Sequence, residues 1–180
     1  MLEIGNVITV DGITYSMTPS EERAHFTMWC MMAAPLILGN DLTKITPETL
    51  AIITNKEMIA VDQDPLGIQG LRLKNEDGVQ YWFKPLADGA WAFCVMNTRE
   101  EDVTITLDWS TLEVNDALSK RRTGFGSTNY SVQDLWHPEA AAFPTLVKGK
   151  GILKNQFVIN TRQVTVPTHD VVAYRLTPVK

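Results

Sequence analysis

Cysteine is almost absent: Cys30 and Cys94 are the only two in 180 residues. That excludes a disulfide framework and leaves no Cys/His spacing suited to a zinc site. Both cysteines sit in apolar surroundings and read as buried small residues rather than as a bridged pair. Histidine is also scarce, at three residues. Basic charge is not in excess either. The formal net charge of -5 argues against nucleic acid as a partner, which would want a basic face. No apolar run reaches the ~20 residues that span a bilayer. Met31 to Leu38 comes closest, and Pro35 interrupts it. A membrane partner is therefore not expected. Nothing at the start reads as a secretory signal, since Glu3 follows Met1 almost at once. What remains is a globular mixture, with 44% hydrophobic and 21% charged residues, enough for one or two small domains with a core.

The hydrophobic period divides the chain. The first 70 residues predict helix, short strand, helix. Thr18-Pro19-Ser20-Glu21 is a helix start, with Thr18 to cap, Pro19 at the first turn and Glu21 to close a capping box. Phe26, Trp29, Cys30 and Ala33 recur at helical spacing, and Pro35 ends the helix. Leu36-Ile37-Leu38-Gly39 is wholly apolar and bounded by breakers, the pattern of a parallel strand covered on both faces. Thr46-Pro47 starts one or two further short helices through Val61. From Leu71 the period becomes two. Val79, Tyr81 and Phe83 alternate with Gln80, Trp82 and Lys84, Asp88-Gly89 offers a hairpin turn, and Ala90–Met96 is apolar on both faces. Val103–Leu107, Tyr130–Trp136, Phe157–Ile159, Gln163–Val166 and Val171–Leu176 extend the series. Some seven short strands with turn signals predict an antiparallel sandwich that folds without the first 70 residues.

Candidate chemistry is sparse. Asp62 and Asp64 stand two apart, which turns them differently on any regular element. Asp41 follows the predicted strand and reads as a turn or helix cap. Glu21, Glu22 and His25 share a helical face that reads as solvated, and His137 and His169 read as loop histidines. Lys120-Arg121-Arg122 reads as a solvated loop, and Gly124-Phe125-Gly126 lacks the setting of a phosphate loop. No serine stands in a Gly-x-Ser-x-Gly elbow. Asn129-Tyr130-Ser131 matches the glycosylation triplet. Of the tryptophans, Trp91 reads as core and Trp136 as core or domain interface, while Trp82 could face either way.

One long run carries more. Residues 29–70, WCMMAAPLILGNDLTKITPETLAIITNKEMIAVDQDPLGIQG, resemble the last strand and helices of the catalytic barrel in α-galactosidases and α-N-acetylgalactosaminidases, family 27 of the glycoside hydrolases. Met1-Leu2-Glu3-Ile4-Gly5-Asn6 resembles the segment after that family's Trp-x-Asp-Pro-Asp motif. Trp91-Ala92-Phe93, Gln133-Asp134-Leu135-Trp136 and Val166-Pro167-Thr168-His169-Asp170-Val171-Val172 resemble landmarks of its β domain.

The resemblance implies an α+β fragment: residues 1–69 as the last βα elements of a (β/α)8 barrel, and 70–180 as an antiparallel β-sandwich. Leu36–Gly39 would be strand eight. The two catalytic aspartates of the family lie upstream of these matches and map onto no residue here, so no catalytic residue is carried over and the chain alone is expected to be inactive. Met1 aligns with a residue that touches the sugar. No cofactor or metal is implied. The implied partner is an α-galactoside in the full-length enzyme, and the family usually acts outside the cytoplasm. An apolar strand edge at Leu36–Leu38 without its strand-seven neighbour predicts association of copies through exposed barrel elements.

Overall fold

The first element departs from the helix–strand–helix expectation. In the computed structural model, which describes residues 1–128, 130–139 and 161–179, β1 (Val7–Val10) and β2 (Ile13–Ser16) form an antiparallel hairpin. Asp11 and Gly12 turn the chain at φ 51° and 78°, the left-handed pair that a two-residue hairpin loop requires. Asp-Gly between β-branched residues was the signal for it. All eight strand residues are exposed.

Helix α1 (Pro19–Met31) starts as its sequence dictates. Thr18 accepts from the Glu21 amide at 3.3 Å, while the Glu21 carboxylate accepts from the Thr18 amide at 2.7 Å. Such a box contributes about 1 kcal/mol. The helix ends at Met31, ahead of Pro35, because Ala33 turns left-handed at φ 51°. Helices α2 (Pro47–Ile53) and α3 (Lys56–Asp62) follow, capped by Thr46 and Asn55. The apolar run between α1 and α2 makes one parallel bridge, Leu2 to Leu38, rather than a full strand. Leu2 thereby serves as the neighbour expected to be missing. Ile37 remains 57% exposed.

After Gly70 every strand pair among the described residues is antiparallel. Strands β3 (Leu71–Glu76), β4 (Val79–Pro85), β5 (Trp91–Asn97), β6 (Val103–Asp108), β7 (Glu113–Asp116), β8 (Arg121–Gly124), β9 (Tyr130–Asp134), β10 (Thr161–Val166) and β11 (Val171–Pro178) follow in order. Five of them form one sheet in the order β3-β4-β5-β11-β9; β6 pairs with β10 and β7 with β8. Asp88 and Gly89 turn the chain between β4 and β5 at φ 57° and 79°, as expected. The expected strand Phe157–Ile159, the punctuation at 148–151 and Asn129 of the glycosylation triplet lie outside the described residues.

The strand Trp91-Ala92-Phe93-Cys94-Val95 is buried on both sides, and its side chains alternate in size. Trp91, Phe93 and Val95 point into the sandwich core with Tyr81, Phe83, Trp109, Phe125 and Tyr174. Phe83 packs 4.6 Å from Phe93 and 5.2 Å from Phe125 between ring centroids. Ala92 and Cys94 point the other way, with Ala173, and their small size lets the helices approach. There they meet Phe26, Cys30, Met31, Met58 and Val61. The molecule is therefore layered as helices, five-stranded sheet and two short ribbons. On β4 the helix layer leaves Trp82, which could face either way, half-buried and covers Lys84 fully. The solvated-loop expectation for Lys120-Arg121-Arg122 is corrected. Arg121 starts β8, donates to the Leu86 and Ala90 carbonyls at 2.7 and 3.0 Å, and lies 4.5 Å above Trp91. No helix among the described residues is long and apolar enough to cross a membrane.

Burial holds several protons. It pushes both cysteine thiols far above their ordinary range and the Tyr174 phenol up to about 12. Tyr81 and Tyr130 shift the same way for the same reason. The unfolded chain releases these protons first, so it binds fewer of them than the native state and stability falls as pH rises. Lys84 and Arg121 oppose the trend, because burial lowers their pKa. Five raised groups outweigh two lowered groups. Denaturation midpoints are expected to fall from about pH 8.5 upward, at up to ~1.4 kcal/mol per pH unit for each group. Cys94→Ala should flatten the first part of that slope. A midpoint constant from neutrality to the tyrosine range would refute the assignment.

Candidate functional site

Met1, which the resemblance implies near a sugar, stands next to the parallel bridge between Leu2 and Leu38. The Leu2 amide donates to the Ile37 carbonyl and the Gly39 amide to the Leu2 carbonyl, both at 2.8 Å. This lays Met1 and Glu3 against Gly39. A Cβ on Gly39 would stand 2.6 Å from Glu3 Oε1 and 2.9 Å from Met1 Cε, the far ends of two flexible side chains that lie against this glycine. Met1 is 65% exposed. Glu3 accepts from the Asn6 amide group. The Asn40 Oδ1 and His25 Nε2 atoms are buried without a hydrogen-bond partner among the described residues. Burial lowers the His25 pKa, which keeps the imidazole neutral near pH 7.

The carboxylates serve the backbone and its turns. Asp41 is exposed and accepts from the Thr43 amide and hydroxyl at 3.0 and 2.6 Å, as a turn cap does. Those hydrogen bonds, then Lys44, hold its pKa low. Glu22 corrects the solvated-face expectation: it is 5% exposed and accepts from Thr49 Oγ1 at 2.8 Å. Glu21 is spent in the capping box. His137 is exposed, and His169 sits 3.1 Å from Glu100 at the surface. Asp62 and Asp64 do diverge. Asp64 accepts from the Leu66 and Ala87 amides at 3.0 and 2.9 Å. Asp62 Oδ1 has no partner among the described residues, and burial raises the pKa of this side chain against the opposing effects of Gln63 and Lys84. No group of three or more His, Cys, Asp and Glu among the described residues could hold a metal ion.

A joint between the helices and the sheet is the feature the sequence reading missed. The Lys84 ammonium donates to the Cys30 carbonyl at 2.8 Å and the Val61 carbonyl at 2.7 Å. These carbonyls belong to the last turns of α1 and α3, where a cation complements the helix dipole. Arg23 on α1 grips buried Asp170 at the start of β11, with Nε 2.8 Å from Oδ1. Trp136 donates from Nε1 to Thr27 at 3.1 Å, and Asn55 donates to the Leu135 carbonyl at 3.0 Å. The signal for Lys84 was a lone cation among Phe83, Pro85 and Leu86, a strand end too apolar to be wet.

A parallel strand remnant roofed by helices and latched to an antiparallel sandwich is the junction of a (β/α)8 glycosidase barrel with its C-terminal β domain. The chain belongs to the alpha-galactosidases, family 27 of the glycoside hydrolases: the alpha galactosidase C-terminal beta sandwich domain matches residues 76–176, and alpha galactosidase A matches residues 6–64. Alpha-galactosidase A of Cellvibrio japonicus is 34% identical over 178 residues, 99% of this chain and 38% of its own length. Alpha-galactosidase 3 of Arabidopsis thaliana is 35% identical, over 99% of this chain and 34% of its own. The solved structure of alpha-galactosidase I from Mortierella vinacea superposes with a TM-score of 0.70 at 29% identity, over 97% of this chain and 38% of that one. The chain thus spans between a third and two fifths of the length of these relatives and corresponds to the C-terminal portion of such an enzyme.

Proposed function

We propose that the chain is the C-terminal portion of a retaining hydrolase of terminal α-linked galactose or N-acetylgalactosamine, and that it has no turnover by itself. The observation that carries this is the ordered pair of family matches over residues 6–64 and 76–176. A retaining mechanism needs a nucleophile and an acid/base carboxylate about 5–5.5 Å apart. Asp41, Asp62, Asp64 and Glu22 each have another employment or lie buried at the joint, which supports the absence of that pair. Met1 is the proposed sugar contact. Its exposed side chain, lying beside Gly39 next to the Leu2–Leu38 bridge, supports that role. The proposed division at residues 69 and 70 has the β1–β2 hairpin, the helices and the parallel bridge before it and the β3–β11 strands after it. Copies are proposed to associate through exposed barrel elements.

A carbohydrate-binding module would need solvent-facing aromatic platforms. Trp91 and Trp109 are buried, and Trp29, Trp82 and Trp136 are half-buried, which leaves that alternative without an exposed tryptophan. The purified chain is expected to release no nitrophenol from nitrophenyl α-galactoside above the uncatalysed rate. Turnover that Asp41→Asn abolishes would overturn the proposal.

A further inference from the structure

The β1–β2 hairpin exposes an apolar face that nothing among the described residues covers. Its register sets Ile8 across from Tyr15 and Val10 across from Ile13, and side chains two apart along a strand share a face. These four residues therefore form one surface, at 53, 56, 53 and 57% exposure respectively. The other face carries Thr9 and Thr14, whose hydroxyls meet at 3.2 Å, together with Val7 and Ser16. Val7 and Ser16 line a cleft of about 300 Å³ with Met17, Glu22 and Thr49. The threonine face thus looks back at the body of the molecule, and the apolar face looks away. An isolated two-stranded hairpin is marginal in water, and neither strand carries the charge or proline that usually guards an exposed strand.

We propose that this face is a self-association surface: two copies pack their hairpins face to face about a two-fold axis perpendicular to the strands. The shape fits its own copy. The bulky Ile8–Tyr15 pair of one hairpin lies over the smaller Val10–Ile13 pair of the other, and the reverse holds by symmetry. The charge fits as well. The only carboxylate or cationic side chain of the hairpin is Asp11, at the turn, and this axis sends the two turns to opposite ends. Tyr15 is the one polar handle on the face, so a sugar would find little to bond, while an apolar counter-face matches it throughout. The area sets the strength. Four half-exposed side chains offer about 400 Å² per copy and about 800 Å² in a pair, below the ~1,200 Å² of a standard interface. The dimer is accordingly weak, with a Kd on the order of 100 µM.

Sedimentation equilibrium of the chain from about 1 µM to about 500 µM should show the mass rising from one chain toward two. Tyr15→Lys and Val10→Lys should each weaken association at least tenfold, whereas Thr14→Lys on the opposite face should leave it unchanged. Tyr15→Thr keeps a strand-forming residue and removes the ring, so a weakening of roughly tenfold there separates lost contact from lost hairpin. Catalytic activity is not a readout, so failure here is separate from failure of the enzyme assignment. A chain that stays monomeric at the highest concentration overturns the proposal. So does Thr14→Lys acting as strongly as Tyr15→Lys.

Discussion

Lys84→Ala is expected to remove about 3–5 kcal/mol of stability and lower Tm by roughly 10 °C. The ammonium is the donor to the Cys30 and Val61 carbonyls, and truncation leaves the last turns of α1 and α3 without it. An orphaned carbonyl costs about 1–3 kcal/mol, and the space left by the aliphatic stem adds to that. Lys84→Met refills the stem without the charge. Because it also relieves the cost of burying an ammonium, it should lose about half as much. Urea melts of both variants at pH 7 check this. A midpoint within error of the unmodified chain for Lys84→Ala would mean that the side chain does not tie the helices to the sheet.

A chain cut to Leu71–Lys180 is expected to lose cooperative unfolding and bind a hydrophobic dye. Alternation in the sequence suggests independence, but it counts only one of the two apolar faces. The face of Leu86, Ala92, Cys94, Leu135 and Ala173 is covered by Leu2, Ile4, Phe26, Met31, Met58 and Val61. Cutting at Leu71 exposes that face and leaves Lys84 and Asp170 without their helix partners. Near-ultraviolet dichroism and dye fluorescence decide the matter. A sharp, two-state melt with native near-ultraviolet bands would show that the sandwich core suffices.

The sequence made the local elements legible where one residue type has one local use. Thr18, Pro19 and Glu21 specify a capping box whatever surrounds them, and Asp88-Gly89 specifies a turn. It was least legible where burial depends on what arrives from elsewhere in the chain. The alternation of Gln80, Trp82 and Lys84 with apolar residues does not say that helix ends will cover Lys84, and Glu22 looks solvated until Thr49 reaches it. The large–small alternation of Trp91 to Val95 did encode two unlike neighbours, an aromatic core on one side and a helix layer on the other. At the bridge, the motif context of Met1 to Asn6 was visible, but nothing in the letters says that Leu2 pairs with Leu38.

Lys84 also governs how the sheet can be threaded. Sliding β4 by one residue against β3 and β5 would swing every side chain to the opposite face. The ammonium would then point among Phe93, Trp91 and Phe125, where helix-end carbonyls are out of reach, and the Phe83 ring would be driven into the helix layer. A misthreaded sheet is thus penalised twice by neighbouring positions. A single buried cation acts as a proofreading mark for strand alignment, and a variant with Leu in its place would keep only the penalty at Phe83.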